Sequence, residues 1–189
     1  MRLLLGIGNP GTRYKNTRHN AGFLFLDYLT SKYSISFLPS KNDYYYAEHV
    51  IGNNQFALIK PSQYVNNSGL SAIQALDQYQ VSKEELLVIH DDIDLELGSV
   101  RVKISGGDGG HKGVSSIIYH LSSQEFSRIR IGVKDESFGK EDVADYVLKD
   151  FPPAAGKLLE SVFTKCFLLS ESFIYGGKKL LLDANSREN

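Results

Sequence analysis

His19 stands in the run Thr17-Arg18-His19-Asn20-Ala21-Gly22. Histidine titrates near neutral pH and can act as a general base, and the same position at a helix start equally suits a surface or structural histidine. Acids cluster in His90-Asp91-Asp92-Ile93-Asp94-Leu95-Glu96. A calcium loop would need glycine where Leu97 stands, and the alternating apolar residues suit an edge strand better. Asp91 closes a buried strand, the place where ligand crevices form in α/β sheets. Asn66-Asn67-Ser68-Gly69 offers uncharged amide donors ahead of a helix, useful beside a developing oxyanion because they donate without changing protonation state.

Two glycine-rich runs invite phosphate-loop readings. Gly6-Ile7-Gly8-Asn9-Pro10-Gly11 lacks the second glycine pair of a dinucleotide fingerprint, and Pro10 breaks the turn; a tight loop aiming Asn9 out of the sheet edge explains it equally well. Gly106-Gly107-Asp108-Gly109-Gly110-His111-Lys112-Gly113 lacks the Gly-Lys-Ser/Thr ending of a nucleotide loop. It is either a connection needing positive φ angles or a set of free N–H groups for an anion. No nucleophile elbow is present, and Cys166 falls on an apolar helical stripe. A hydrolase built from these parts would use activated water rather than a covalent intermediate.

The elements that must position these residues follow from periodicity. Residues 3–7, 86–90, 99–104 and 128–133 read as strands, and residues 45–51 and 56–59 as a pair joined at Gly52-Asn53-Asn54. Thr17 is expected to cap a helix reaching Tyr33; further helices are expected near residues 68–79 and 114–121. Pro152-Pro153 opens one long final helix with Leu158, Val162, Cys166, Leu169 and Phe173 as its buried stripe, and a polar, frayed tail follows from Ala184. Strands alternating with helices indicate a single α/β domain, and the close spacing of the strands between residues 45 and 60 a mixed sheet.

A chain of 189 residues with 42% hydrophobic and 23% charged residues can bury a core without disulfides, which its one cysteine could not supply. That composition fits a reducing, cytoplasmic setting, and no apolar stretch approaches a membrane span or a signal peptide. The net charge of −1 selects no partner, but its distribution is uneven. Arg101, Lys103, Lys112, Arg128, Arg130 and Lys134 face only Asp108 and Glu125 in one stretch, a basic strip able to meet phosphates or simply ordinary surface heterogeneity.

Together these runs resemble bacterial peptidyl-tRNA hydrolase. The Gly-Ile-x-Asn-Pro-Gly start, Tyr14, the run around His19, Asn66-x-Ser68-Gly69, His90-Asp91 with Asp94-Leu95, the glycine loop with its histidine and Arg128-Ile129-Arg130-Ile131-Gly132 occur in that family's order and spacing, from Leu3 to the final helix. The resemblance implies a monomeric three-layer sandwich, with a twisted mixed sheet flanked by helices. It implies a catalytic domain over residues 1–183 that needs neither metal nor cofactor and takes peptidyl-tRNA as substrate. By motif, His19 is the catalytic base and Asp91 its orienting carboxylate. Asn9 and Asn66 position peptide and water, Tyr14 packs on the terminal ribose and adenine, and Lys103 with Arg130 clamps the tRNA 5′ phosphate. Two substrate-site positions depart from the pattern: Val65 replaces a methionine, and Lys112 replaces an asparagine near water and substrate. Lys112 is expected to reach substrate phosphate and leave His19 largely alone. The alternatives are a catalytically silent RNA-binding relative and, further off, a nucleotide- or metal-dependent hydrolase; keeping His19, Asp91, Asn9 and Asn66 argues for hydrolysis.

Overall fold

The computed structural model describes residues 1–139 and 142–187. Its strands are β1 (Arg2–Gly6), β2 (Leu38–Pro39), β3 (Tyr44–Ile51), β4 (Asn54–Pro61), β5 (Leu86–Glu96), β6 (Val100–Lys103) and β7 (Ser127–Lys134). They form one seven-stranded sheet in the order β2-β3-β4-β1-β5-β7-β6. The inner pairs β4-β1, β1-β5 and β5-β7 are parallel, and the outer pairs are antiparallel. The centre therefore reads as unbroken apolar runs, because both faces are covered by helices. The β3-β4 hairpin turns on Gly52, whose φ of 58° a side chain would resist.

The helices are α1 (Ala21–Tyr33), α2 (Ser68–Tyr79), α3 (Lys112–Leu121), α4 (Val143–Val147) and α5 (Gly156–Arg187). Alternation along β1 divides the core: Leu4 packs with Phe25, Leu29, Val162, Cys166 and Phe173 under α1 and α5. Leu3 and Leu5 pack with Ala72, Ala75, Val114 and Ile117 under α2 and α3. The result is the three-layer α/β sandwich expected.

Several boundaries differ from the sequence reading. Thr17 caps no α-helix; its Oγ1 donates to the Tyr14 carbonyl at 2.9 Å, and a 3-10 turn, Arg18–Asn20, precedes α1. The final helix begins one turn after Pro152-Pro153 and is broken at Gly176 (φ −144°, ψ 17°) and Gly177 (φ 62°, ψ −150°), so it is two helices meeting at a kink. Glycine supplies the angle that the helix cannot. Leu158 is 41% exposed and lies off the buried stripe, which runs through Val162, Cys166, Leu169 and Phe173. The tail does not fray at Ala184: helix continues through Arg187, and residues 188 and 189 lie outside the described residues. No described helix is long and apolar enough to cross a membrane.

Candidate active site

β1 and β5 part company at one end of the sheet. Their register stops at Gly6–Ile89, Ile7 adds one last bond from its N–H to the Ile89 carbonyl at 2.9 Å, and β5 continues beside β7 through Asp92. Diverging carboxyl ends of parallel strands open a crevice, and Asp91 stands in it. The chain entering α1 is pressed against the same point. A Cβ on Gly22 would sit 2.4 Å from the Ile89 carbonyl oxygen, so glycine is what permits the approach. Asn20 then latches the turn: its Oδ1 accepts from the Asn9 N–H at 2.8 Å, and its Nδ2 donates to the Asn9 carbonyl at 3.0 Å. These contacts fix the 3-10 turn that carries His19 over Asp91.

His19 Nδ1 lies 2.9 and 3.0 Å from the two carboxylate oxygens of Asp91. A second imidazole reaches the same group, with His111 Nε2 2.9 Å from Asp91 Oδ1. His111 Nδ1 accepts the N–H groups of Gly113 and Val114 at the start of α3, at 3.1 and 3.3 Å. An accepting Nδ1 puts the ring proton on Nε2, so His111 donates to Asp91. His19 donates its Nδ1–H, leaving Nε2 without a hydrogen-bond partner among the described residues and available to the cleft.

Burial opposes ionisation of Asp91, but the charges and hydrogen bonds of His19 and His111 outweigh it and hold its pKa well below the carboxylate range. For His19, burial lowers the pKa most strongly as a single influence. The Asp91 charge and hydrogen bond together overcome it, and the net shift is upward from 6.5; Lys112 contributes the weakest of the four effects, downward. His90 faces the other way. Its Nδ1–H donates to the Asp91 carbonyl at 2.7 Å, and burial followed by the charge of His111 keeps it neutral.

The ligating atoms of His19, Asp91 and His111 lie within 4.8 Å of one another, which suits a metal by distance alone. The protonation pattern suits it less. His111 Nε2 could take a metal only by giving up its proton while Nδ1 keeps accepting two backbone N–H groups.

Around this centre lies a cleft of about 940 Å³ lined by Asn9, His19, Val65, Asn66, Asp91 and Lys112, with part of its far wall formed by the α4 segment. Asn9 is buried; its Oδ1 accepts the Val65 N–H at 3.0 Å, which leaves Nδ2 as the amide available to a ligand. Ionised carboxylate, oriented imidazole and free amides around one opening can activate water and hold an oxyanion.

Residues 3–189 match the family model for peptidyl-tRNA hydrolase. A peptidyl-tRNA hydrolase of Lachnoclostridium phytofermentans is 40% identical over 187 residues, covering 97% of this chain and 95% of that protein. One from Aquifex aeolicus is 41% identical over 170 residues, covering 87% and 85%. The crystal structure of peptidyl-tRNA hydrolase from Acinetobacter baumannii superposes with a TM-score of 0.89 at 32% identity, over 98% of this chain and 93% of that one. The chain belongs to the peptidyl-tRNA hydrolase family.

Within this member of the family, three expected site residues stand outside the cleft lining. Tyr14 meets Tyr64 edge to face at 6.3 Å, with the Arg13 guanidinium 4.3 Å from its ring centre. Lys103 and Arg130 share one face of the β6-β7 pair with Arg101 and Arg128. That face is less uniformly basic towards solvent than its sequence suggests. Arg128 is buried and donates to the carbonyls of Gly106, Gly107 and Gln124, bracing the glycine loop. Arg130 Nε binds Asp92 Oδ2 at 2.6 Å, while Lys103 has no ion-pair partner among the described residues. In the glycine loop, Gly106, Gly109 and Gly110 take positive φ, and Gly109 and Gly110 border the cleft.

Sequence reasoning passed over His111 and the α4 segment. A histidine in a glycine-rich loop advertises no partner, and five helical residues carry no period that a pattern could reveal.

Proposed function

We propose that this chain hydrolyses the ester joining a peptide to the terminal ribose of tRNA, with His19 as the base. The observation that carries the reading is the His19–Asp91 hydrogen bond at the cleft, which fixes the imidazole with Nε2 facing the opening. In that arrangement His19 Nε2 takes a proton from water as its oxygen bonds to the ester carbonyl carbon. Asp91, ionised, stabilises the imidazolium that results. The oxyanion is met by the amides of Asn9 and Asn66, with Val65 packed beside them. When the carbon–oxygen bond to the ribose breaks, the imidazolium returns the proton to the leaving oxygen. The products are a peptide carboxylate and a tRNA with a free terminal hydroxyl.

The reading assigns Tyr14 to the terminal adenosine and Lys103 with Arg130 to the tRNA 5′ phosphate. It also makes the enzyme a metal-independent, cytoplasmic monomer. Family membership and the oriented base favour hydrolysis over a silent RNA-binding role. Purified peptidyl-tRNA should be turned over equally with and without a chelator, and His19→Ala should abolish most of that turnover. Chelator-sensitive turnover would remove metal independence, and no turnover by the wild type would remove the proposal.

A further inference from the structure

Arg18 precedes the proposed base and belongs to neither the water-activating nor the phosphate-binding set. It is 4% exposed, and its side chain runs away from His19 into residues 133–151. Nη2 binds Asp135 Oδ2 at 2.6 Å, and Nη1 donates to the carbonyls of Asp150 at 2.7 Å and Lys149 at 3.4 Å. The guanidinium carbon lies 4.3 Å from the centre of the Tyr146 ring. Tyr146 is itself pinned at its hydroxyl, which donates to the Val133 carbonyl at 2.8 Å and accepts the Asp135 N–H at 2.9 Å. The backbone repeats the connection: the Arg18 N–H donates to the Lys149 carbonyl, the Phe151 N–H to the Asn16 carbonyl, and Thr17 bridges Asp150.

The segment tied down in this way carries α4, whose Val143 and Val147, with Leu148 after it, line the catalytic cleft opposite Asn9 and His19. One buried guanidinium therefore joins the turn holding the base to the apolar wall across the cleft. A mere core arginine would need none of this convergence on one segment. Asp135 is held ionised; burial opposes this, but the Ser137 and Arg18 hydrogen bonds bring its pKa down to about 2, so the carboxylate is ionised through neutral pH.

We infer that Arg18 is a positioning residue for the reaction: it sets the α4 wall at a fixed distance from His19, so that the cleft is preformed for the substrate's ester end. Arginine is needed because its planar fork reaches the carboxylate, the carbonyls and the ring together, which an ammonium cannot do. The inference rests on the hydrolase reading of the cleft.

The test is steady-state kinetics on peptidyl-tRNA with wild type, Arg18→Lys, Asp135→Asn and the double variant, with melting temperatures for each. Turnover by the wild type is required first, and its absence would defeat the hydrolase reading rather than this one. Arg18→Lys should raise KM about tenfold, leave kcat within about twofold and leave the acid limb of kcat unmoved, because wall and base part while the dyad is untouched. Asp135→Asn should raise KM less, and the double variant should be no worse than Arg18→Lys, since both act through one contact. If Arg18→Lys fails to fold, Asp135→Asn and Tyr146→Phe carry the test, each with a smaller rise in KM and an unmoved acid limb. A folded variant with wild-type KM, an additive double variant, or a fall in kcat with a displaced acid limb would overturn the tether.

Discussion

Asp91 and Asp92 are neighbours on β5, and each binds the nitrogens of other side chains, yet they build two different centres. Successive strand residues point to opposite faces. The Asp91 side chain is 3% exposed and gathers His19 and His111, while Asp92 is 13% exposed and gathers Arg130, itself 24% exposed. Around Asp91 each ring has a defined proton and desolvation strengthens every contact. Around Asp92 the pair borders solvent, where such a bridge contributes about 0–1 kcal/mol and is screened by salt. On the proposed reading, a shift of one position along a strand separates proton transfer from phosphate attraction. Substitutions at the first centre should act on kcat and its pH profile; those at the second should act on KM and its salt dependence.

The largest effect should come from His19→Ala, which should lower kcat by roughly 10²–10⁴-fold while tRNA affinity stays within about twofold. Single-turnover rates and filter binding measure the two halves. A large loss of affinity with kcat preserved would dissolve the distinction between the centres.

Asp91→Asn comes next, with an expected loss of about 10–10³-fold in kcat. The carboxamide keeps the shape, and its oxygen can still accept from the rings that meet at Oδ1, but it carries no charge to raise the His19 pKa and stabilise its cation. The sign of the pH effect follows from Asp91 raising the His19 pKa. With His19 as the proposed base, its neutral form is the active one, so wild-type kcat should fall as pH drops through that raised value. Without the carboxylate charge the acid limb should move to lower pH, even though the maximum is lower. An unmoved limb would mean that the titration belongs to another group.

The fold was largely legible because most of its strands and helices are strongly patterned, the central strands β1 and β5 through unbroken apolar runs and the helices as apolar stripes. The site was legible in parts. Asp91 was expected at the end of a strand over residues 86–90, but β5 runs on to Glu96 and Asp91 stands where β1 leaves it; the closeness of His19 to it depends on Gly22 and the Asn20 latch, contacts across more than one element. Arg128 read as a surface cation and is a buried brace, because the carbonyls that satisfy it come from a glycine loop some twenty residues away in the chain. His111 and α4 left no pattern at all. What periodicity cannot carry is which polar groups meet across elements.

At the Asp92 centre, Lys103→Ala and Arg130→Ala should both weaken tRNA binding without changing kcat at saturation. Removing one phosphate contact should reduce the slope of log affinity against log salt by about 0.7–0.9. The two should not be equal. Lys103 has no ion-pair partner among the described residues and should lose the full increment, whereas Arg130 already has Asp92 as a counter-ion and should lose less. Affinity titrations at several salt concentrations separate them; identical slopes for both variants and wild type would take this face out of the binding surface.

The smallest expected effect is at Lys112, the residue that touches both halves of the comparison. It is exposed at the first position of α3 and lines the cleft around His19 and Asp91. It also lines an adjoining groove of about 480 Å³ that shares Asn66, Asp108 and Gly110 with the cleft. A cation at a helix N-terminus is unfavourable by roughly 0.3–1 kcal/mol, which an anion held nearby would offset. Its charge also lowers the pKa of His19, against the larger raising influence of Asp91. Both facts bear on Lys112→Asn. Losing the charge should let the His19 pKa rise, so the acid limb of kcat should move slightly to higher pH, opposite in direction to Asp91→Asn. If Lys112 also meets substrate phosphate, KM should rise as well, most at low salt where the lost attraction is least screened. A limb that moves upward with KM unchanged at all salt concentrations would place Lys112 with the Asp91 centre alone. A salt-dependent KM with an unmoved limb would place it with the Asp92 centre, and Lys112 would no longer link proton transfer to phosphate attraction.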